Sequence, residues 1–126
     1  MRLLILSDVH SNYEALRGVL DDGGGFDEAI CVGDTVGYGP YPGECIRLVS
    51  GLPLKPVAGN HDDAVARQDS DWFNSEARRA IAINRRLLNE SELAWLRALP
   101  LELQLEIEGL PGPYSLRKIS PSPHLS

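Results

Sequence analysis

Arg2-Leu3-Leu4-Ile5-Leu6-Ser7-Asp8-Val9-His10 decides how the rest of this chain is read. An apolar run of this length, stopped at once by a carboxylate and an imidazole, predicts a strand buried on both faces that ends in a polar loop. The same grammar recurs twice. Asp27 to Val32 is followed by Gly33-Asp34-Thr35-Val36-Gly37-Tyr38-Gly39-Pro40, and the weaker run Lys55 to Ala58 by Gly59-Asn60-His61-Asp62-Asp63. Between them lie helical segments. Ser11 or Asn12 can cap Tyr13 to Asp22, with Leu16, Val19 and Leu20 on one face, before Gly23-Gly24-Gly25 stops it. Pro42 to Val49 turns Cys45, Ile46 and Val49 inward. Strand–helix–strand–helix–strand implies an α/β fold with a parallel sheet and crossover connections. Ligands bind outside the carboxyl ends of such strands. Three polar loops are therefore expected at one edge of one sheet.

Downstream, a helix is expected over Asn74 to Leu88, with Ala77, Ala80, Ile81, Asn84 and Leu88 near one face. Asn89-Glu90-Ser91-Glu92 reads as a capping box opening a short helix to Leu99. Leu101 to Glu108 alternates strictly, as a strand with one dry face does. After Leu110 the character changes. Pro111, Pro113, Pro121 and Pro123 with four serines predict that residues 111–126 are a disordered tail, leaving 1–110 as the folded domain.

Composition sets outer limits. A chain of 126 residues forms one domain that removes roughly two-thirds of its unfolded surface from water. No run approaches the roughly 20 apolar residues of a membrane helix, and the start is too short for a signal peptide. The expectation is a cytoplasmic protein. Cys31 and Cys45 have no CxxC spacing and are expected to be reduced and buried. A net charge of −6 argues against a general nucleic-acid platform, which needs a basic face for phosphates.

Each loop has a plain reading beside a chemical one. Asp8 and His10 offer the mixed oxygen and nitrogen donors that suit a transition metal, or Asp8 merely caps the next helix. Asp34 stands where glycines let the backbone pass close to a ligand, or it only supports a turn. Asn60 offers an amide oxygen and His61 a proton at a helix N-terminus, or Asn60 is an N-cap.

Together, Asp8-x-His10, Gly33-Asp34-x-x-Gly37 and Gly59-Asn60-His61-Asp62 resemble the signature of the calcineurin-like metallophosphoesterases. Gly33 to Pro40 and Gly59 to Asp62 look like the small bacterial phosphodiesterase and diadenosine-tetraphosphatase-like branch. The resemblance implies a β-sandwich flanked by helices, in α-β-β-α layers. It implies a centre of two divalent ions (Mn, Fe, Zn, Ni or Mg), with Asp8 and His10 on the first, Asp34 bridging and Asn60 on the second. It makes Asn60 and His61 contacts to a small phosphoester substrate. His61 then protonates the leaving oxygen and Asp62 orients it. The implied reaction is hydrolysis of a phosphomonoester or phosphodiester by metal-activated hydroxide.

The chain departs from that pattern. The family closes its site with a further histidine and a G-H-x-H motif, whereas the histidines here are His10, His61 and His124. His124 stands in the Pro/Ser stretch. The change after Leu110 reads as an interrupted or frame-altered end, with an incomplete second sheet. The alternative to an enzyme is then a non-catalytic interaction module or an inactive product. A dry face on Leu101, Leu103, Leu105 and Ile107 short of cover, and an open sheet edge, predict a marginally stable or self-associating chain.

Overall fold

A computed structural model describes residues 2–52, 54–106 and 109–117. The three apolar runs form β1 (Leu3–Leu6), β2 (Glu28–Val32) and β3 (Leu54–Val57), a parallel sheet in the order β1-β2-β3. Leu6 lies opposite Cys31, and Val32 opposite Val57, so the three strands end level with one another. The crossovers are α1 (Tyr13–Gly23) and α2 (Pro42–Ser50). Asn12 caps α1 by accepting the Ala15 N–H at 3.0 Å, and Pro42 sits at the start of α2, where its missing donor costs nothing.

Beyond the sheet come α3 (Asn60–Arg67), α4 (Ser75–Arg86) and α5 (Glu90–Arg97). The capping box opens α5 as expected: Asn89 Oδ1 accepts the Glu92 N–H at 2.8 Å, while Glu92 accepts the Asn89 N–H at 3.0 Å. A two-stranded antiparallel sheet pairs β4 (Leu103–Leu105) with β5 (Tyr114–Leu116). The mixed α/β architecture agrees with the expected fold class. No helix among the described residues is long and apolar enough to cross a membrane.

Two apolar clusters hold the layers together. One packs Leu6, Cys31, Leu16, Cys45 and Val49 between the sheet and α1 and α2. The other joins Val36, Ile46, Val65, Ile81, Leu93 and Leu96 across α2, α3, α4 and α5. Both cysteines are free and buried, and burial pushes the Cys31 thiol up to about 11 and the Cys45 thiol up to about 12. They are packing residues.

Several local expectations differ from the structure. β1 is not buried on both faces: Ile5 is 58% exposed, because β1 is an edge of this sheet while the central β2 has Ala29, Ile30 and Cys31 buried. Val19 is exposed too, leaving Leu16 as the buried anchor of α1. The alternating run from Leu101 pairs only over Leu103–Leu105, with Leu101 exposed and residues 107–108 outside the described residues. Within the stretch 111–126, Tyr114–Leu116 pairs as β5, which no expectation of an unpacked tail included; the pairing is supplied by β4. Residues 118–126, His124 among them, lie outside the described residues.

Candidate metal centre

Because β1, β2 and β3 end level, their following loops meet. The meeting is enforced by backbone bonds that continue past the strands. Asp8 N–H donates to Gly33 at 3.2 Å, His10 N–H to Asp34 at 2.8 Å and Ser11 N–H to Thr35 at 3.0 Å. Gly39 and Tyr41 return the favour, donating to the carbonyls of His10 at 2.7 Å and Ser11 at 3.0 Å. The loops after β1 and β2 are thus sewn into one unit.

That unit is strained. Asp8, His10, Ser11 and Asp34 all have φ between 50° and 60°, the left-handed region that costs a non-glycine residue roughly 1 kcal/mol or more. Four such residues in two adjoining loops persist only because the surrounding bonds over-determine them. The conformation turns the side chains of Asp8, His10 and Asp34 toward a common point. Their donor atoms lie within 4.8 Å of one another. His10 Nε2 stands 3.6 Å from Asp8 Oδ1 and 3.9 Å from Asp34 Oδ2. Asp8 is half-exposed and Asp34 buried, so the point is reached from solvent on the Asp8 side.

The loop after β3 joins through α3. His61, in its first turn, donates its N–H to Asp34 Oδ1 at 3.0 Å. Asp62 is fully buried. Its two carboxylate oxygens accept the N–H of Val36 at 2.9 Å and of Gly59 at 3.0 Å, tying the β2 loop to the start of α3. Burial pushes its carboxyl up to about 7, while those N–H donors pull the other way. Gly59, not Asn60, is the N-cap of α3, and Asn12, not Asp8, caps α1. The plain readings of Asp8 and Asn60 as helix caps therefore do not hold. Asn60 opens α3 half-buried, directly before His61.

Two glycines are required by this closeness. A Cβ on Gly59 would overlap the Asp34 carboxylate and backbone nitrogen. One on Gly37, whose φ is +132°, would stand 2.8 Å from His61 Nδ1 and 2.9 Å from His10 Nδ1. The two imidazoles lie with centroids 4.9 Å apart at 77°, and Tyr38 packs on both, at 5.4 Å from His10 and 4.8 Å from His61. Phe73 closes the far side of His61 at 5.1 Å. His10 Nδ1 is buried with no hydrogen-bond partner among the described residues, while Nε2 faces both carboxylates.

Ser11 and Asn84 belong to the site's support, and the motifs do not announce them. Both are buried. Ser11 Oγ donates to Asn84 Oδ1, and the Gly37 N–H is shared between Asn84 Oδ1 at 3.0 Å and Ser11 Oγ at 3.1 Å. Asn84 Nδ2 donates to the Gly39 carbonyl at 3.0 Å. The one signal for Asn84 is an amide inside the apolar stripe Ala77, Ile81, Leu88.

The donor set fits a divalent cation. Two carboxylates and an imidazole nitrogen offer mixed oxygen and nitrogen donors, on a backbone strained to hold them together. Comparison with known proteins gives the same direction. At 39% identity over 110 residues, an uncharacterized protein of Methanocaldococcus jannaschii matches 85% of this chain and 45% of its own length. A metallophosphoesterase from Sphaerobacter thermophilus is 46% identical, with a TM-score of 0.71 over 82% of this chain and 43% of that one. A candidate diadenosine tetraphosphatase is 25% identical, with a TM-score of 0.60 over 80% of this chain and 44% of that one. A Pyrococcus horikoshii protein shares the fold at 20% identity, with a TM-score of 0.70 over 84% of this chain and 50% of that one. The chain spans half or less of the length of each of these relatives. The family model for calcineurin-like phosphoesterases matches residues 1–121, which takes in all three polar loops. With its donor groups carried on those loops, this chain belongs to the calcineurin-like phosphoesterase family.

Proposed function

We propose that the protein is a metal-dependent phosphoesterase that hydrolyses a phosphomonoester or phosphodiester at the Asp8, His10 and Asp34 group. The observation that carries this reading is the convergence of those three donors within 4.8 Å at the carboxyl edge of the sheet. Asp8 and His10 would hold a first divalent ion, Asp34 would be shared with a second, and Asn60 would complete the second from the start of α3. Ions held there would polarise a phosphoryl oxygen and lower the pKa of water.

The chain's own residues do the rest. His61 lies beside His10 in the first turn of α3, and its buried ring is held between Tyr38 and Phe73. That placement suits a proton donor to a leaving oxygen, with the helix N-terminus favouring phosphate beside it. Asn60 is the neighbouring contact to substrate. Asp62 fixes His61 through the backbone: it clamps Gly59 and Val36, and so sets the first turn of α3 against Asp34.

One observation favours the second reading, a non-catalytic module. Among the described residues, Asp8, His10 and Asp34 are the one group of three such donors within reach of a common ion. Asp34 and Asn60 alone make a thin shell for a second.

Hydrolysis of a chromogenic aryl phosphodiester with and without Mn²⁺ separates the two. Metal-dependent turnover that Asp34→Asn lowers at least roughly a hundredfold supports the enzyme. Saturable Mn²⁺ binding by calorimetry without turnover from the folded chain supports the module. Failure of the folded chain to bind Mn²⁺ at all removes the enzyme reading and leaves the module.

A further inference from the structure

The space beside the donor group is larger than a phosphate requires. A cavity of about 620 Å³ opens from Asp8 and His10 toward Tyr38, Gly39, Pro40 and Tyr41. That volume lies in the range of sites that take a whole small molecule, roughly 300–1,000 Å³. Its lining carries the proposed metal donors Asp8 and His10 together with two tyrosines, of which Tyr38 packs directly beside His10. Tyr38 is 49% exposed and Tyr41 43% exposed, so both residues remain open to water at the cavity.

Those rings are not on a loose segment. Gly39 and Tyr41 are bonded to His10 and Ser11, and Asn84 grips the same turn from α4 through Gly37 and Gly39. Tyr38 is further fixed by its contacts with His10 and His61. Rigid, half-exposed aromatic faces at the mouth of a cavity lose little freedom when a flat group stacks on them.

We propose that Tyr38 and Tyr41 form an aromatic subsite that receives a planar ring carried by the phosphoester, as a nucleobase or an aryl group. The proposal rests on the phosphoesterase reading and names the substrate class for it: phosphoesters bearing a flat aromatic group within one small-molecule length of the phosphorus. Sugar phosphates and other esters without an aromatic ring would engage Asp8 and His10 and leave the tyrosine rings to water.

Calorimetric titration of the full chain in Mg²⁺ with adenosine 5′-monophosphate, phenyl phosphate and ribose 5-phosphate tests this. The ring-bearing ligands should bind about tenfold tighter than ribose 5-phosphate, as a stacked base provides. A gain confined to the nucleotide identifies a nucleobase, and a gain shared by phenyl phosphate identifies any aryl group. Tyr41→Leu, which touches neither histidine in the ring contacts, should bring the aromatic ligands toward ribose 5-phosphate and leave that sugar phosphate unchanged. Tyr38→Phe should keep the gain.

Equal affinities for all three ligands overturn the subsite. So does a gain that survives Tyr38→Leu and Tyr41→Leu together in a chain with native circular dichroism. Should none of the three bind, the phosphomonoester half of the reading fails, and adenosine alone then decides the subsite. Saturation transfer from tyrosine ring protons to the adenine protons, lost in Tyr41→Leu, would sustain it. Absence of transfer would end it.

Discussion

The paired loops after β1 and β2, the second of which runs through glycine and proline as the β4–β5 connection does, are held in the opposite way to that hairpin. The first pair is bonded at every turn. Backbone groups of residues 8–11 pair with 33–35, residues 39 and 41 pair back to 10 and 11, and the side chains of Asp62, Ser11 and Asn84 accept the N–H groups of Val36, Gly37 and Gly59. The hairpin has a three-residue ladder, one buried leucine at 105, and exposed bonds of Glu102 with Gln104 and Ser115. Buried polar networks that are fully satisfied specify one geometry, and solvated ladders do not. Candidate chemistry sits where the backbone is most constrained, because four left-handed non-glycine residues need that constraint to persist.

The sharpest way to break this contrast is at Asp62. Asp62→Ala leaves the buried N–H groups of Val36 and Gly59 without their acceptor, and should cost roughly 3 kcal/mol or more in urea unfolding. Asp62→Asn keeps one acceptor oxygen and should fall between the alanine variant and the parent. A loss below about 1 kcal/mol for the alanine variant would show that the two loops hold each other without the carboxylate.

That dependence marks where sequence reading succeeds and where it stops. The three strands, their parallel order and the convergence of Asp8, Asp34 and His61 follow from apolar runs that end abruptly in polar loops, a pattern with a period and a boundary. Which strand lies at the edge has no such local mark, so the apolar run places Ile5 inside although it lies outside. The pairing of Tyr114–Leu116 is three residues long between a proline and an arginine, too short for a period to show. Asp62 follows His61 in the motif, and nothing in that spacing announces the bonds its carboxylate makes to the Val36 and Gly59 N–H groups. Asn84 fits the helical stripe by spacing alone, and spacing does not tell an amide that points at water from one that grips another loop.

Asn84 supplies the intermediate test. It bonds Ser11, Gly37 and Gly39 from α4, but Ser11 Oγ shares the Gly37 N–H. Asn84→Ala should therefore cost less than Asp62→Ala, about 2 kcal/mol by the same unfolding measurement. It should also weaken Mn²⁺ binding, measured separately by calorimetry, because His10 and Tyr38 are placed by the segment it holds. An unfolding loss with undiminished Mn²⁺ affinity would mean that the turn at 37–39 stabilises the fold without setting the donor geometry.

The smallest effect is expected on the hairpin side, and it sharpens the comparison by its size. Leu101 is 70% exposed, just before β4. Placing a hydroxyl there uncovers no donor and opens no cavity, so Leu101→Ser should change unfolding stability by no more than about 0.5 kcal/mol. Its dry-face neighbour Leu105 is buried, and truncation there removes packed methyl groups. The pair of positions thus asks whether the alternating stretch from Leu101 works as one dry face or as a single anchor with a solvated flank. A cost for Leu101→Ser near that of Leu105→Ala, read at several protein concentrations, would show that Leu101 is covered in solution. If the cost grew with concentration, the cover would be a second copy of the chain. A cost that stays small and independent of concentration leaves Leu105 as the contact by which the hairpin is held.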